Sequence, residues 1–373
     1  MSATEQGTLL TGATGFLGGQ VLARLLKGDE RPVYALVRAR SDEEASARLD
    51  RVVSSVFAPH GVAKGRAVAV AADVTAPGLG IDARRRAWLA ERTKRIIHSA
   101  ASVSFTLDLE QSRAINVEGT RRMLELAELS RKHGGLDSFT HVSTAYVAGT
   151  HEGEFAEDEL ELGQEFRNAY ERSKFEAERL VRGRMDELPV QIARPSIIVC
   201  DSRTGWTSSF NVLYTPLRAF MLGAYPMIPA RRDSPVDVVP VNYVADAIVA
   251  LGGRPGTTYN LAAGPRASTV GEIISLASSA GGLPPPRVLS PGLYRRLIHP
   301  LLVRRAGESR RRALRRSEAF FPYFEMRGRF SDRRAREALA PRGIEAPPLR
   351  TYFDRLIGFA QRTHWGRAAR PTP

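Results

Sequence analysis

The sequence is poor in the residues that build disulfides and metal sites. Its single cysteine, Cys200, excludes an intramolecular disulfide and a cysteine-based metal cluster. The seven histidines contain no His-x-x-x-His pair, so we predict no metal site. Cys200 follows an apolar run, and we expect its thiol to be buried and structural.

Long uncharged apolar stretches are also missing. Met1–Gly7 is polar, so we expect no cleavable signal peptide. The longest apolar region, Phe210–Ile228, is interrupted by Pro216, Arg218 and Pro226, which argues against a membrane span. We therefore expect a cytoplasmic protein with a sizeable core.

Acidic residues are outnumbered by basic ones. The sequence has 40 Asp and Glu residues and 54 Lys and Arg residues, which gives a formal net charge of +14. Arginines are dense from Arg295 to Arg316. Such a patch can contact nucleic acid, an anionic membrane surface or an acidic protein, or it can be a solvated helix face. No nucleic-acid motif with interleaved aromatic residues accompanies it, so we do not predict nucleic-acid binding. Peripheral membrane contact stays open.

Short β-branched segments alternate with amphipathic segments from residue 8 to about residue 194, which is typical of a parallel sheet with helices on both faces. The predicted strands are Thr8–Thr11, Pro32–Val37, Ala67–Ala71, Arg95–His98, Ser138–Ser143, Val190–Arg194, Val236–Val241 and Tyr259–Ala262. The best-marked helices are Asn116–His133, Tyr170–Arg184 and Tyr243–Leu251. We predict an α/β fold, a Rossmann-type doubly wound parallel sheet with a smaller, mainly helical C-terminal lobe.

The character of the chain changes after Arg194. Residues 205–233 are rich in aromatic residues and prolines without clean periodicity, as in an insertion that lines a cleft. We predict a Rossmann domain over residues 1–205, to which residues 236–264 return. Residues 206–235 and 265–373 would form the substrate-binding lobe, with a frayed tail at residues 368–373.

Three glycines at a spacing of three follow the first predicted strand. Gly12 permits a tight turn, Gly15 lets a pyrophosphate approach the backbone, and Gly18 lets the next helix pack closely on the sheet. The helix N-terminus then offers free amides and a positive dipole end to phosphates. A strand before the glycines and a helix after them predict a dinucleotide site rather than a plain connection.

Tyr170 and Lys174 lie four residues apart, on one face of a predicted helix. A nearby ammonium favours the phenolate, so we expect the pKa of Tyr170 to be lowered towards neutrality. Thr144, with Ser143 as the alternate, ends a central strand where it could hydrogen-bond a substrate carbonyl. The structural alternatives are an ordinary exposed helix and hydroxyls that only cap the turn.

The residue after the second predicted strand indicates which dinucleotide binds. NAD sites usually place an acid there to hold the ribose 2′-hydroxyl. This chain has Arg38 instead, and a guanidinium pairs well with a phosphate. NADPH is therefore predicted, unless Arg38 is a surface residue that contacts nothing.

Together, the Thr-Gly-x-x-Gly-x-x-Gly turn, the Ser-Thr strand end and Tyr-x-x-x-Lys resemble the extended short-chain dehydrogenase/reductase superfamily over residues 8 to about 265. Finer motifs resemble the thioester reductase domains of carboxylic acid reductases and nonribosomal peptide synthetases, and the fatty acyl-CoA reductases. These motifs are Leu36–Arg40, His98–Phe105, Asn116–Thr120 and Arg194–Val199.

The resemblance implies a set of site residues. The catalytic residues would be Thr144, Tyr170 and Lys174. The residues implied to line the cofactor are Gly12, Thr14, Gly15, Phe16, Leu17 and Gly18 in the turn, Asp73 and Val74 beside the adenine, Ala100 and Ala101 beside the ribose, and Asn116, Tyr170, Lys174 and Pro195. Arg38 and Arg48 would contact the 2′-phosphate of NADPH.

The implied activity is NADPH-dependent reduction of an acyl thioester, carried on an acyl carrier protein or coenzyme A, to an aldehyde or further to the alcohol. An acidic carrier would meet the arginine run, and the apolar segment around Phe210 suits a lipophilic acyl chain, although core packing explains it equally. A nucleotide-sugar epimerase or dehydratase, a hydroxysteroid-type dehydrogenase and a non-catalytic NADPH sensor remain alternatives. The acyl group and the oligomeric state stay open.

Overall fold

Seven parallel strands form the central sheet. The computed structural model describes residues 6–28, 30–57, 65–210, 212–222, 227–305, 307–308, 311 and 318–367. The strands are β1 (Gly7–Thr11), β2 (Val33–Val37), β3 (Ala67–Ala71), β4 (Thr93–His98), β5 (Ser138–Val142), β6 (Val190–Pro195) and β7 (Thr258–Leu261). Their order is β7-β6-β5-β4-β1-β2-β3, with every neighbouring pair parallel. The predicted Rossmann-type fold is confirmed.

The strand order reverses between β1 and β4, which lie side by side with Thr11 opposite His98. At such a switch point the connections leave in opposite directions and open a crevice at the carboxyl ends of the strands. Leu9 and Leu10 point to opposite faces of β1 and are both fully buried. Burial on both faces is what a parallel sheet covered by helices requires.

Helices cover both faces of this sheet. They are α1 (Phe16–Gly28), α2 (Asp42–Phe57), α3 (Ala83–Arg92), α4 (Leu109–His133), α5 (Ala169–Arg182) and α7 (Val241–Ala250). Outside the sheet lie α6 (Tyr214–Met221), α8 (Val270–Gly281), α9 (Arg333–Leu339) and α10 (Phe353–Arg362). Residues 291–305 are also helical, with a π-helical turn at Tyr294–Ile298.

Most predicted elements match the structure to within two residues, and two differ by more. Helix α4 begins at Leu109 rather than Asn116, because Asp108 caps it by accepting a hydrogen bond from the Gln111 amide at 2.8 Å. The single strand predicted over Val236–Val241 is wrong.

Two short strands replace that single strand. Pro235–Val236 pairs with Ser268–Thr269, and Val238–Pro240 pairs with Ile197–Val199. Between them the Asp237 carboxylate turns inward and accepts the amides after β7, which interrupts the strand.

The C-terminal segment packs on the insertion after β6. Phe353 and Leu356 of α10 join Leu213 and Leu217 in one buried apolar cluster. The thiol of Cys200 lies in the same cluster and is fully buried, as predicted. None of the helices in the described ranges has both the length and the hydrophobicity to cross a bilayer. The predicted tail at residues 368–373 lies outside the described residues, and so do residues 306, 309–310 and 312–316 of the arginine run 295–316.

Candidate active site

The turn after β1 has the geometry that its glycines predict. Gly12 has φ +76°, and a Cβ there would lie 2.8 Å from the Ser99 carbonyl carbon. A Cβ on Gly18 would lie 2.0 Å from the Gly12 carbonyl oxygen, so only glycine lets α1 pack so tightly on the turn. The Gly15 amide donates to the same oxygen at 2.8 Å. The first amides of α1 therefore face the crevice at the switch point.

The Thr11 hydroxyl fastens this turn to the loop after β4. It accepts hydrogen bonds from the amides of Ser99, at 3.1 Å, and Ala100, at 3.0 Å. The ends of the two strands that flank the switch point are thereby held together. The glycine turn and the loop after β4 therefore form one fixed surface for a ligand.

One cavity of about 300 Å³ connects the glycine turn with the predicted catalytic residues. Its volume is at the lower end of the range for small-molecule sites. Among the predicted site residues, those lining it are Gly12, Gly15, Phe16, Leu17, Gly18, Ala101, Thr144, Tyr170, Lys174 and Pro195. Residues far apart in sequence thus meet in one space, as dinucleotide and substrate require.

Thr144 and Ser143 have different surroundings at the end of β5. The Ser143 hydroxyl donates to the buried Glu178 carboxylate at 2.6 Å, so it is already engaged. The Thr144 hydroxyl accepts the Tyr146 amide at 3.3 Å and donates to the Pro195 carbonyl at 3.4 Å, and its contact with the Tyr170 phenol lowers the pKa of that phenol. Thr144 therefore both caps the turn and faces the cavity, and it is the better placed of the two.

Helix α5 presents Tyr170 and Lys174 to the cavity from one face. Asn168 caps the helix by accepting the Glu171 amide at 3.0 Å, which fixes the first turn that carries Tyr170. The Lys174 ammonium donates to the Val142 carbonyl at 2.9 Å, so the lysine is tied to the end of β5. Both side chains therefore have fixed positions relative to Thr144.

The pKa values correct one expectation. Burial raises the pKa of Tyr170 to about 12, although the hydrogen bond with Thr144 opposes this rise. Burial also lowers the pKa of Lys174 to about 8, against the field of Glu178. The predicted lowering of the Tyr170 pKa by Lys174 is wrong, because loss of hydration outweighs the other effects on the phenol. Tyr170 is a protonated phenol at neutral pH.

The other predicted cofactor residues do not line the cavity. Arg38 is exposed at the end of β2, and the Arg48 guanidinium donates to its carbonyl, so the two residues lie together. Thr14 is exposed in the glycine turn, and Ala100 is held by Thr11. The structure thus gathers Arg38 and Arg48 at one strand end, beside the switch point.

Three more predicted residues have protein partners. Asp73 accepts the Thr75 amide at 2.8 Å, and the Val74 carbonyl accepts from Arg122 at 3.1 Å. The Asn116 amide donates to the Ser102 carbonyl at 3.1 Å and to the Ser173 hydroxyl at 2.9 Å. Asn116 therefore ties the loop after β4 to the helix that carries Tyr170.

Sequence reasoning missed an aromatic wall above Tyr170. Tyr323 lines the cavity, stacks on Phe105 with ring centroids 5.8 Å apart, and donates to the Glu171 carboxylate at 2.7 Å. Phe105 in turn packs against the Tyr170 ring, with ring centroids 5.9 Å apart. Phe105 belongs to the motif His98–Phe105, whereas no sequence pattern predicted that residue 323 would lie at this site.

A buried ion pair between α5 and β6 was also missed. Glu178 and Arg194 are both fully buried and lie 2.6 Å apart. Tyr170, Lys174 and Glu178 are spaced four residues apart and lie on one helix face. This spacing is the sequence pattern that could have predicted where Glu178 lies. The pair ties this face of α5 to β6, the strand that carries Arg194.

The residues present fit a nicotinamide dinucleotide. The turn Gly12–Gly18 lines the cavity, and an added Cβ at Gly12 or Gly18 would collide with the backbone of Ser99 or Gly12, so the turn needs its glycines. Two guanidinium groups lie at the neighbouring strand end, and a lysine lies farther along the same cavity. Glycine backbone, cations and a lysine are the groups that hold pyrophosphate, phosphate and ribose.

Comparisons with known proteins agree with this geometry. Residues 10–248 match the model of an NAD-binding family described as Male sterility protein. The chain is 29% identical over 280 residues to Fatty acyl-CoA reductase wat of Drosophila melanogaster, covering 66% of this chain and 54% of that protein. It is 34% identical over 272 residues to Isonitrile lipopeptide synthase of Streptomyces coeruleorubidus, covering 71% of this chain and 18% of that protein. The chain thus spans about half the length of the first relative and less of the second.

Solved structures give the same result over nearly the whole chain. The terminal R domain of the myxalamid PKS-NRPS pathway superposes with a TM-score of 0.82 at 27% identity, covering 99% of this chain and 93% of that one. The reductase domain of a nonribosomal peptide synthetase from Mycobacterium tuberculosis gives a TM-score of 0.72 at 25% identity, covering 97% and 92%. The resemblance to reductase domains and fatty acyl-CoA reductases is confirmed.

Proposed function

Because the chain belongs to the NAD-binding family described as Male sterility protein, we propose that it is an oxidoreductase that reduces an acyl thioester to an aldehyde with NADPH. The observation that carries the proposal is the single cavity in which the glycine turn, Thr144, Tyr170 and Lys174 meet. The names of its relatives, a fatty acyl-CoA reductase and nonribosomal reductase domains, support the reaction class.

The residues would divide the chemistry between them. A bound NADPH supplies the hydride that the carbonyl carbon accepts. The Tyr170 phenol, protonated at neutral pH, donates its proton to the carbonyl oxygen as negative charge develops there. Thr144 supplies a second hydrogen bond to that oxygen, and Lys174 holds the nicotinamide ribose. Loss of the thiol from the resulting hemithioacetal leaves the aldehyde.

Further residues would hold the cofactor. We assign Gly12, Gly15, Phe16, Leu17, Gly18, Ala101 and Pro195, which line the cavity, to direct contact with it. Asn116 would act by positioning α5. The lobe formed by residues 206–235 and 265–373 would close over the acyl group.

Product analysis tests the function. Purified protein is incubated with NADPH and a panel of acyl-CoA and carrier-bound thioesters, and thiol, aldehyde and alcohol are quantified. Release of thiol with aldehyde or alcohol is expected. If no thioester yields either product while a sugar nucleotide or a hydroxysteroid is turned over, the epimerase or dehydrogenase interpretation replaces this one. Binding of NADPH without turnover of any of them would indicate a sensor.

Arg38 and Arg48 are expected to select NADPH over NADH. Each guanidinium can form a charge-assisted hydrogen bond to the 2′-phosphate, which is typically worth about 1.5–3 kcal/mol. Replacing either by Ala should lower the ratio of NADPH to NADH affinity by roughly 10- to 100-fold. Arg51→Ala is the matched control, because Arg51 is exposed on α2 and donates to the Ala47 carbonyl of its own helix. Titration of each dinucleotide by fluorescence measures both affinities, and an unchanged ratio would reject the assignment.

Residues 291–305, named here the leucine–arginine helix, are proposed to dock an acidic carrier protein. Leu293, Leu297 and Leu301 are 49%, 64% and 46% exposed at a spacing of four, so they form one stripe. Exposed Arg296, Arg304 and Arg305 accompany the stripe. Apolar contacts framed by cations suit a partner with an acidic surface.

Charge reversal tests this docking. Changing Arg296, Arg304 and Arg305 to Glu should lower kcat/KM for a carrier-bound thioester by at least about tenfold, mainly through slower association. The same variant should keep its rate with an S-acyl N-acetylcysteamine, which carries no charge. Reversal of Arg84, Arg333 and Arg350, three exposed arginines elsewhere, controls for net charge. Equal losses in both triple variants would contradict a specific docking surface.

A further inference from the structure

A second cavity, of about 90 Å³, lies beside the catalytic one. It is bounded by α6, α8 and the aromatic residues Phe321 and Phe324. Among the residues that line it, only Thr215 has a polar side chain. The catalytic cavity, in contrast, contains the polar side chains of Thr144, Tyr170 and Lys174. The two spaces therefore differ in chemistry.

The two cavities share a wall. The 3₁₀ helix Glu318–Glu325 sends Tyr323 into the catalytic cavity and Phe321 and Phe324 into the apolar one. On another side, Val212 lines the catalytic cavity while its neighbour Leu213 lines the apolar one. The space on the far side of this wall from Tyr170 is bounded almost only by carbon.

The apolar lining of this cavity favours an apolar occupant. Protein interiors are packed as densely as organic crystals, and a void forfeits the dispersion contacts of its walls. Such a space cannot be filled well by water, which needs several polar partners. An aliphatic chain is the ligand that gains most from it, at about 0.8 kcal/mol per buried methylene.

We propose that the apolar cavity receives the end of an aliphatic acyl chain whose thioester carbonyl lies at Tyr170. This inference rests on the proposed function and names its substrate class. A cavity of about 150 Å³ accommodates benzene, so the smaller space takes roughly the last three or four carbons of the chain. Acyl groups that end in a carboxylate or an ammonium are excluded, because those charges would be desolvated without a partner.

Ala277 and Ala280 provide a matched pair of substitutions. Ala277 is buried on α8 and lines the cavity, whereas Ala280 is exposed on the same helix one turn later. Ala277→Leu fills the space with three additional carbons, and Ala280→Leu adds the same atoms towards solvent. Ile274→Ala, at another lining position, enlarges the cavity and guards against a simple folding defect in Ala277→Leu.

The first measurement is kcat/KM with NADPH for straight-chain acyl-CoAs from butanoyl to hexadecanoyl. In the wild type we expect about a fourfold gain for each methylene that enters the cavity. In Ala277→Leu, kcat/KM should fall at least tenfold for the chain lengths that the wild type reduces best. Its kcat/KM with butanoyl-CoA should stay unchanged. Ile274→Ala should move the optimum to longer chains, and Ala280→Leu should match the wild type. Identical length profiles in all four proteins would overturn the proposal.

The second measurement does not need turnover. Octan-1-ol should raise the midpoint of heat unfolding of the wild type and of Ala280→Leu, but not of Ala277→Leu. If the wild type reduces no acyl-CoA, the proposed function fails and this measurement alone decides whether the cavity binds aliphatic chains. An equal effect of octan-1-ol on all proteins, or no effect on any, would overturn the inference.

Discussion

Replacing Tyr170 by Phe is expected to lower kcat by about 10²–10⁴-fold, the usual contribution of a positioned acid. The substitution removes only the hydroxyl, so the ring that contacts Phe105 remains in place. NADPH affinity should stay within about twofold of wild type, since Lys174 keeps its bond to the Val142 carbonyl. Stopped-flow oxidation of NADPH by an acyl-CoA and a separate fluorescence titration measure the two quantities.

Tyr146→Phe is the matched control. Tyr146 lines the same cavity and is less exposed than Tyr170, but it lies on the turn after β5 and not on α5 with Lys174. We expect at most about a fivefold effect on kcat from this change, because neither the acid nor its lysine is altered. Normal NADPH consumption by Tyr170→Phe, or an equal loss in both variants, would show that Tyr170 is not the acid.

The pH profile supplies a signature of the same assignment. Burial raises the pKa of Tyr170 to about 12, so the acid stays protonated throughout the neutral and mildly alkaline range. Burial lowers the pKa of Lys174 to about 8, so the free protein loses this ammonium as the pH rises through 8. NADPH affinity should therefore weaken above about pH 8, with no loss of the acid there. A kcat that falls with an apparent pKa near neutrality would indicate a different proton donor.

The sequence predicted most of the sheet because each central strand is a short β-branched run buried on both faces. The glycine turn was equally predictable, since Gly12 and Gly18 occupy positions that no other residue fits. Thr144, Tyr170 and Lys174 were found because strand ends and helix periodicity fix where side chains meet. These features are local, or follow from the regular order of a parallel sheet.

Contacts made by irregular segments were not predictable in the same way. The placement of Tyr323 in the same cavity as Tyr170, stacked on Phe105 and bonded to Glu171, requires a 3₁₀ helix more than a hundred residues away in sequence to fold back onto α5. The second cavity needs α6, α8 and Phe321 together, and no periodicity links them. The direction of the Tyr170 pKa shift could not be predicted from the sequence either. Burial raises this pKa, a nearby ammonium would lower it, and packing decides which effect is larger.

Replacing Glu178 by Gln is expected to reduce the free energy of unfolding by about 3–5 kcal/mol, because it leaves Arg194 buried without a counter-charge. Both side chains of this pair are fully buried, and the guanidinium meets the carboxylate at 2.6 Å. The Ser143 hydroxyl and Arg182 would also lose their charged acceptor. Urea unfolding followed by circular dichroism measures the loss.

Glu176→Gln provides the control on the same helix. Glu176 pairs with Arg113 at 2.7 Å and with Arg172 at 3.2 Å, but all three side chains are partly exposed. Exposed pairs contribute about 0–1 kcal/mol, so this variant should unfold close to wild type. Losses of the same size in both variants would contradict a special role for the buried pair.

Acid titration separates the ion pair from simple packing. Burial raises the pKa of the Glu178 carboxyl, but the charges and hydrogen bonds of Arg194, Arg182 and Ser143 outweigh it and hold the pKa below its ordinary value of 4.5. The stabilisation is therefore complete above the pKa of the unfolded chain and is lost as the pH falls through the lower, folded value. The difference in stability between wild type and Glu178→Gln should narrow on acidification. Because Glu178 also supports the Lys174 charge, the weakening of NADPH binding should begin at lower pH in the variant. A pH-independent difference, with an unshifted NADPH profile, would assign Glu178 to packing alone.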